Sequence, residues 1–331
     1  MDTDAPGPVS DDELVEVAEP NPLLARVDGL CSTRSWDELV VLARHCREAY
    51  ERGKQLWPIA EHIDYRLALE APAAYAAAVI TPTAGRFAAG PLTEVAASTH
   101  TFADLAPHLP SPQVAGVVAA ERVLRGEDLS GEPGAHREVL ELPMRLEAWE
   151  PAYPLATFKA HEAAFPAPEL GSVTGDGAGT PGEVLDEPEL VRALLEVVAT
   201  WVTGSSGRAD AVVVAGGATE AIATLGVPRF RMGPAAAGDA LALIGWAAAS
   251  GGAHGRRRGA AAGRSSAWWA GTALCDLEWP VEPPELAAGL ERLRWYRWEP
   301  PSLTGGWNLH LAVEDPEEGW AAALGAQDRA E

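Results

Sequence analysis

Lysine is almost missing from this chain: Lys54 and Lys159 are the only two, so 23 of its 25 bases are arginine. Cysteine is nearly as scarce. Cys31, Cys46 and Cys275 are odd in number, widely spaced and without a CxxC pair. That pattern excludes a disulfide framework and a cysteine-built zinc site, and it suits a reducing compartment. Long apolar runs are absent as well. No stretch of eighteen apolar residues exists, and the N-terminus is acidic where a secretory leader is basic and then apolar. A soluble cytoplasmic protein with no membrane partner is expected. Basic charge is short overall, 48 acids against 25 bases for a net charge of −23, so nucleic acid is not an expected partner.

Catalytic and cofactor motifs are missing too. There is no HExxH, no Walker lysine and no GxSxG elbow. Cys46 beside His45 is no dyad, because neighbours on a helix point apart. No nucleophile–base pair, metal set or cofactor motif can be assembled, which tilts the reading away from an enzyme.

What is present is ordinary globular material, 47% hydrophobic and 22% charged over 331 residues. The acidity is uneven. Residues 1–22 hold seven acids and no base, and residues 166–189 hold six acids and no base. The remainder carries 35 acids against 25 bases. Residues 1–22 therefore read as a disordered acidic tail. Residues 166–187 are rich in Gly, Pro and acids and read as a linker.

Between them, residues 23–165 are expected to be helical. Ser35 and Glu38 have capping-box spacing ahead of a stripe of Leu39, Leu42, Cys46 and Tyr50 that stops near Gly53. Gln55–Glu70 carries Ile59, Ile63 and Leu67, with Pro58 in its first turn. Ser111-Pro112 opens another helix, closed by Gly126. An irregular bundle or a HEAT-like stack fits these short amphipathic segments.

After residue 187 the pattern changes to a smaller α+β domain, 188–331. Ala211–Ala215 reads as a buried strand entering the Gly216-Gly217 turn, and Pro234–Ala249 reads as helix. Arg294–Glu299 reads as a strand. Trp307–Val313 alternates, with Leu309, Leu311 and Val313 on one face and His310 on the other, and Trp320–Leu324 returns as its antiparallel hairpin partner.

One segment breaks a local rule. Ser250–Arg264 places two glycines, His254 and the arginines Arg256, Arg257 and Arg258 where a helix should start, although cations there oppose the macrodipole. Residues 226–275 hold six arginines and one acid, Asp239. Gly251 and Gly252 free the backbone to approach a ligand, and Arg257 and Arg264 are seven apart on one face, so an anionic small molecule or acidic protein partner is the sharp reading. His254 is then a possible proton carrier. The plain reading is a solvated bend with structural ion pairs.

Nine of the twelve tryptophans lie from Trp201 onward. Core filling is the simplest account. Arg294, Trp295 and Trp298 could instead form an Arg/Trp-rich partner surface. Weaker candidates are the Gly175-x-Gly177-x-Gly179 fragment, the Val212–Thr219 turn for a nucleotide, and His62-x-Asp64 and His161-Glu162 as metal seeds.

The strings GGAHGRRRGAAAGR (251–264), WEPAYPLA (149–156) and GWNLHLAVEDPEEG (306–319) resemble those of an uncharacterised protein family of high-GC, actinobacterial-type bacteria. The resemblance is strongest over residues 210–331, and it brings no activity or ligand. An interaction or regulatory scaffold is the favoured reading, ahead of an enzyme or sensor for a phosphorylated or carboxylated molecule.

Overall fold

The computed structural model describes residues 10–81, 89–303 and 305–329. The chain divides into two compact units, Met1–Val118 with Thr157–Ala163, and Ala119–Ala156 with Ala164–Glu331. The division falls inside the Pro112–Leu124 helix. The boundary expected near residue 165 is thus corrected. Leu124, Leu142 and Tyr153 pack into the core of the second unit, which claims residues 119–156.

The first unit is helical. Helices Pro20–Thr33, Trp36–Glu48 and Trp57–Glu70 bury Leu23, Val27, Leu39, Leu42, Ile59 and Ile63 against one another. Shorter ones follow at Ala73–Ala78, Leu92–Thr99 and Phe102–Leu105. Lengths from 4 to 14 residues suit an irregular bundle and not a repeated pair. Gly53 ends its segment in the left-handed region as expected. The Ser35 capping box does not form. Glu38 is drawn instead to Arg26 Nη2 at 2.9 Å, and Ser35 Oγ lies 3.0 Å from Thr33 Oγ1. Tyr50 leaves the buried stripe for a 3-10 turn and is exposed.

The acidic segment 1–22 is also corrected. Residues 1–9 lie outside the described residues, but Asp11–Val17 is a helix. Ser10 and Glu13 cap it reciprocally, Arg26 Nε holds Asp11 at 2.7 Å, Lys54 Nζ holds Glu16 at 2.5 Å, and Val15 is buried. Acids at a helix N-terminus with local cations are structural, not solubilising. Among the described residues, no helix is long and apolar enough to cross a membrane.

The second unit is α+β. Its sheet has seven strands: β1 (Gly175–Ala178), β2 (Glu183–Val184), β3 (Arg208–Ala215), β4 (Arg229–Ala235), β5 (Arg294–Glu299), β6 (Trp307–Asp315) and β7 (Trp320–Asp328). The spatial order is β1-β4-β5-β6-β7-β3-β2, and every pairing is antiparallel. The expected hairpin is β6–β7, closed at Gly319. The helix expected from Pro234 starts later, at Ala237, because Arg229–Ala235 pairs with β5 through Pro234↔Tyr296.

The supposed linker holds β1 and β2, which are the two outer strands of the sheet. Ala178 and Glu183 are five residues apart, so the chain between them spans at most about 19 Å. A flat sheet of seven strands is about 29 Å wide. The sheet must therefore curl. The helix Ala218–Thr224 lies inside the curl, with Ala218, Ala221 and Ile222 against Val214, Phe230, Trp298, Ala312, Ala321 and Ala323. Residues 179–182 pass over this helix as a strap. Gly182 N–H donates to Thr224 Oγ1 at 3.0 Å, and a Cβ on Gly179 would overlap the Thr219 carbonyl. On this inner face Trp298 meets His310 at 4.5 Å between ring centroids, and burial pushes the His310 imidazole down to about 4.

The opposite face is covered by Pro188–Glu196, Ala237–Ala249, Ala260–Leu274 and Pro283–Arg292. They pack on Val213, Trp295, Leu309, Leu311, Val313 and Leu324.

Candidate functional site

The glycine-rich loop does bind an anion, and the anion is the protein's own. Gly251 and Gly255 lie where the loop crosses itself, and a Cβ on either would overlap the other's backbone. Gly252 has φ +72°, with the Asp328 carboxylate where its side chain would be. Ala253 N–H donates to Asp328 Oδ2 at 2.7 Å, and Ser206 Oγ and Arg329 N–H donate to Oδ1 at 3.3 and 3.0 Å. Burial pushes the Asp328 carboxyl up, and these donors more than offset it, holding it below the usual range. The loop is anchored behind by the Trp201 indole, which donates to Ser250 Oγ at 2.8 Å. Gly251 and Gly252 therefore leave their backbone approach to no outside ligand.

The macrodipole conflict also disappears. The helix begins at Ala260, beyond the arginines, and the buried Glu121 carboxylate accepts from Ala261 N–H at 2.8 Å. Arg125 Nη1 binds the same carboxylate at 2.8 Å. An internal acid occupies the helix N-terminus, as the dipole favours.

Arg264 was expected to face a ligand, and the structure corrects this. Both its side chain and that of Glu150 are 0% exposed. Arg264 Nε and Nη2 donate to Glu150 at 2.7 and 2.6 Å, and Nη1 and Nη2 donate to the carbonyls of Pro143 and Arg145 at 2.9 and 2.8 Å. Trp268 Nε1 and Tyr153 Oη donate to the same carboxylate at 2.8 and 3.2 Å. This is a closed polar knot under the core, in which burial drives the Tyr153 hydroxyl well above its ordinary pKa.

Of the remaining loop residues, His254, Arg256 and Arg258 are exposed, and the guanidinium of half-buried Arg257 lies 4.9 Å from the Phe165 ring centroid. Arg257 thus differs in burial from its two neighbours. The partner surface is corrected as well. Trp295 and Trp298 are 4% and 3% exposed and belong to opposite faces of the sheet, where their indoles donate to Leu290 and Leu311 carbonyls. Only Arg294 of that set is exposed, paired with Glu314 at 3.4 Å.

His62 and His161 stack at 5.7 Å between ring centroids, while Asp64 pairs with Arg47 and Glu162 with Lys159. Among the described residues, no group of three His, Cys, Asp or Glu side chains could hold a metal ion.

What sequence reasoning missed is a pair of adjoining cavities on the helical side of the sheet. The larger, about 1060 Å³, has Trp269, Trp279 and Trp320 in its wall together with Cys275 and Arg292. The smaller, about 520 Å³, shares Trp269 and Trp279 and adds Arg258, Ser265 and Ser266. Trp269 and Trp279 meet edge to face at 5.8 Å. The Trp279 indole donates to Glu141, whereas the buried Trp269 N–H has no partner. Burial pushes the Cys275 thiol up to about 12, so it lines the cavity as a neutral group. Trp268-Trp269 carries the available signal: successive helical residues point about 100° apart, so one indole enters the Glu150 knot and the other leaves it.

The fold and this site define an α+β protein whose antiparallel sheet curls around one helix and carries indole-walled cavities on its other face. The chain belongs to the Family of unknown function (DUF6183), whose model matches residues 21–330. No curated protein and no solved structure matches it.

Proposed function

We propose that this chain is a cytoplasmic binding protein whose second unit takes a small organic molecule into the cavity walled by Trp269, Trp279 and Trp320. The observation that carries this is the cavity itself. Its volume of about 1060 Å³ lies just above the usual range of ligand sites, and its wall joins three indoles to a set of charged side chains that could fix a ligand's orientation. Trp269 lines both cavities, so its side chain is the wall they share. Three free, buried thiols suit a reducing compartment. A thermal-shift and tryptophan-fluorescence screen of the full chain against organic cations, anions and neutral aromatics tests it. Binding is expected in the wild type and is lost in Trp269→Leu. Ligands that bind both forms equally would end the cavity reading.

A second reading retains the interaction scaffold. Exposed His254, Arg256 and Arg258 form a basic edge on a chain of net charge −23, which supports an acidic protein partner. A polyglutamate probe that binds the wild type and fails with Arg256→Glu plus Arg258→Glu supports it. Equal binding by both removes it.

A further inference from the structure

The larger cavity has a charge as well as a shape. Its rim carries four exposed carboxylates, Glu187, Glu189, Asp276 and Glu318, against two guanidinium groups, Arg192 and Arg292. Neither arginine stands apart from acids. Arg292 Nη2 lies 3.0 Å from the buried Asp315 carboxylate, and Arg192 Nε lies 3.9 Å from Glu196. An outside anion would have to compete with those carboxylates and cross the rim. Trp269, Trp279 and Trp320 line the cavity, and indole is the side chain whose ring attracts cations most strongly. The Cys275 thiol is neutral and adds no positive charge.

Aromatic walls, a rim with four carboxylates to two guanidinium groups, and the pairing of Arg292 with Asp315 favour one sign of ligand. We infer that the cavity takes an organic cation, an alkylated ammonium or a related amine carried on an aromatic or aliphatic body. The inference rests on the cavity reading and specifies its substrate class. It also reverses the sign expected from the arginine-rich loop, whose anions are supplied from within by Asp328, Glu121 and Glu150.

Three probes of one shape separate the possibilities: (4-hydroxyphenyl)trimethylammonium, its uncharged isostere 4-tert-butylphenol, and anionic 4-hydroxybenzenesulfonate. Each is titrated calorimetrically into the full chain at low and at physiological salt. The cation is expected to bind about tenfold more tightly than its isostere, the size of step that one desolvated cation–π contact supplies. That preference should shrink in the Glu189→Gln/Glu318→Gln double variant, whose exposed changes leave the core intact, and binding should be lost in Trp269→Leu. If the neutral or anionic probe binds equally well or better in a Trp269-dependent way, the cation assignment fails while the cavity remains. Were no probe to bind in a Trp269-dependent way, both would fall.

Discussion

Replacing Arg264 by alanine should be among the most damaging single changes in the second unit. The substitution removes a side chain with no exposed surface and four hydrogen bonds, two of them to Glu150 and two to backbone carbonyls. The Glu150 carboxylate then stays buried with Trp268, Tyr153 and the Glu147 N–H as its donors, and no cation near it. Breaking one partner out of a buried ion pair costs about 3–5 kcal/mol. For a unit of this size that lowers the melting temperature by about 6–20 °C. Ten of the twelve tryptophans lie in the second unit, so fluorescence-detected urea unfolding reports mainly this unit. Arg256→Ala, at an exposed position of the same loop, should stay within about 0.5 kcal/mol. In a double-mutant cycle, Glu150→Gln should restore at least about 1 kcal/mol to Arg264→Met, because it deletes the uncompensated charge. A loss below about 1 kcal/mol for Arg264→Ala, or one equal to that of Arg256→Ala, would refute the structural assignment of this arginine.

Asp328→Ala should cost about 1–3 kcal/mol by orphaning the half-buried Ala253 N–H, and Asp328→Asn less, because it keeps an acceptor; amide exchange at Ala253 and Gly252 reads both. Gly251→Ala should disorder the loop, since its methyl would overlap the Gly255 backbone, and faster proteolysis near His254 is the readout. His310 sets a pH dependence. Its folded pKa of about 4 lies below the unfolded value of about 6.5, so protons bind the unfolded chain first. Its contribution is whole above pH 6.5 and falls as the pH drops toward 4, by up to about 3 kcal/mol. His310→Asn should flatten that part of the stability profile, and an unchanged slope would remove His310 as its source.

Local periodicity carried much of the fold. Leu39, Leu42 and Cys46 mark one buried helical stripe, and the alternation from Trp307 to Val313 sets the faces of β6. The spacing of Trp295 and Trp298 also held the answer to their placement, because residues three apart on a strand face opposite sides. Strand β4 was hidden by Gly233 and Pro234, which weaken any strand signal. Short, acidic β1 and β2 look like a linker because outer strands need few apolar residues. The site misled for a different reason. Arginines and glycines are local, but the carboxylates that answer them come from 75, 140 and 114 residues away at Asp328, Glu121 and Glu150. No spacing rule links such partners; only the curled sheet and its helices do.

The strap at residues 179–182 has a kinetic meaning. It joins the two outermost strands, so its ends are held only when β1 has paired with β4 and β2 with β3. Those pairings link residues far apart in the chain, such as Gly175 with Met232, and loop closure must come before their contacts form. The strap is therefore expected to form late on the folding route. Interactions absent from the transition state govern how fast a protein unfolds and leave its folding rate nearly unchanged. With one short segment joining both borders of the sheet, the strap is placed as a clasp: weakening it is expected to speed unfolding more than it slows folding, and its release would open both borders to other chains at once.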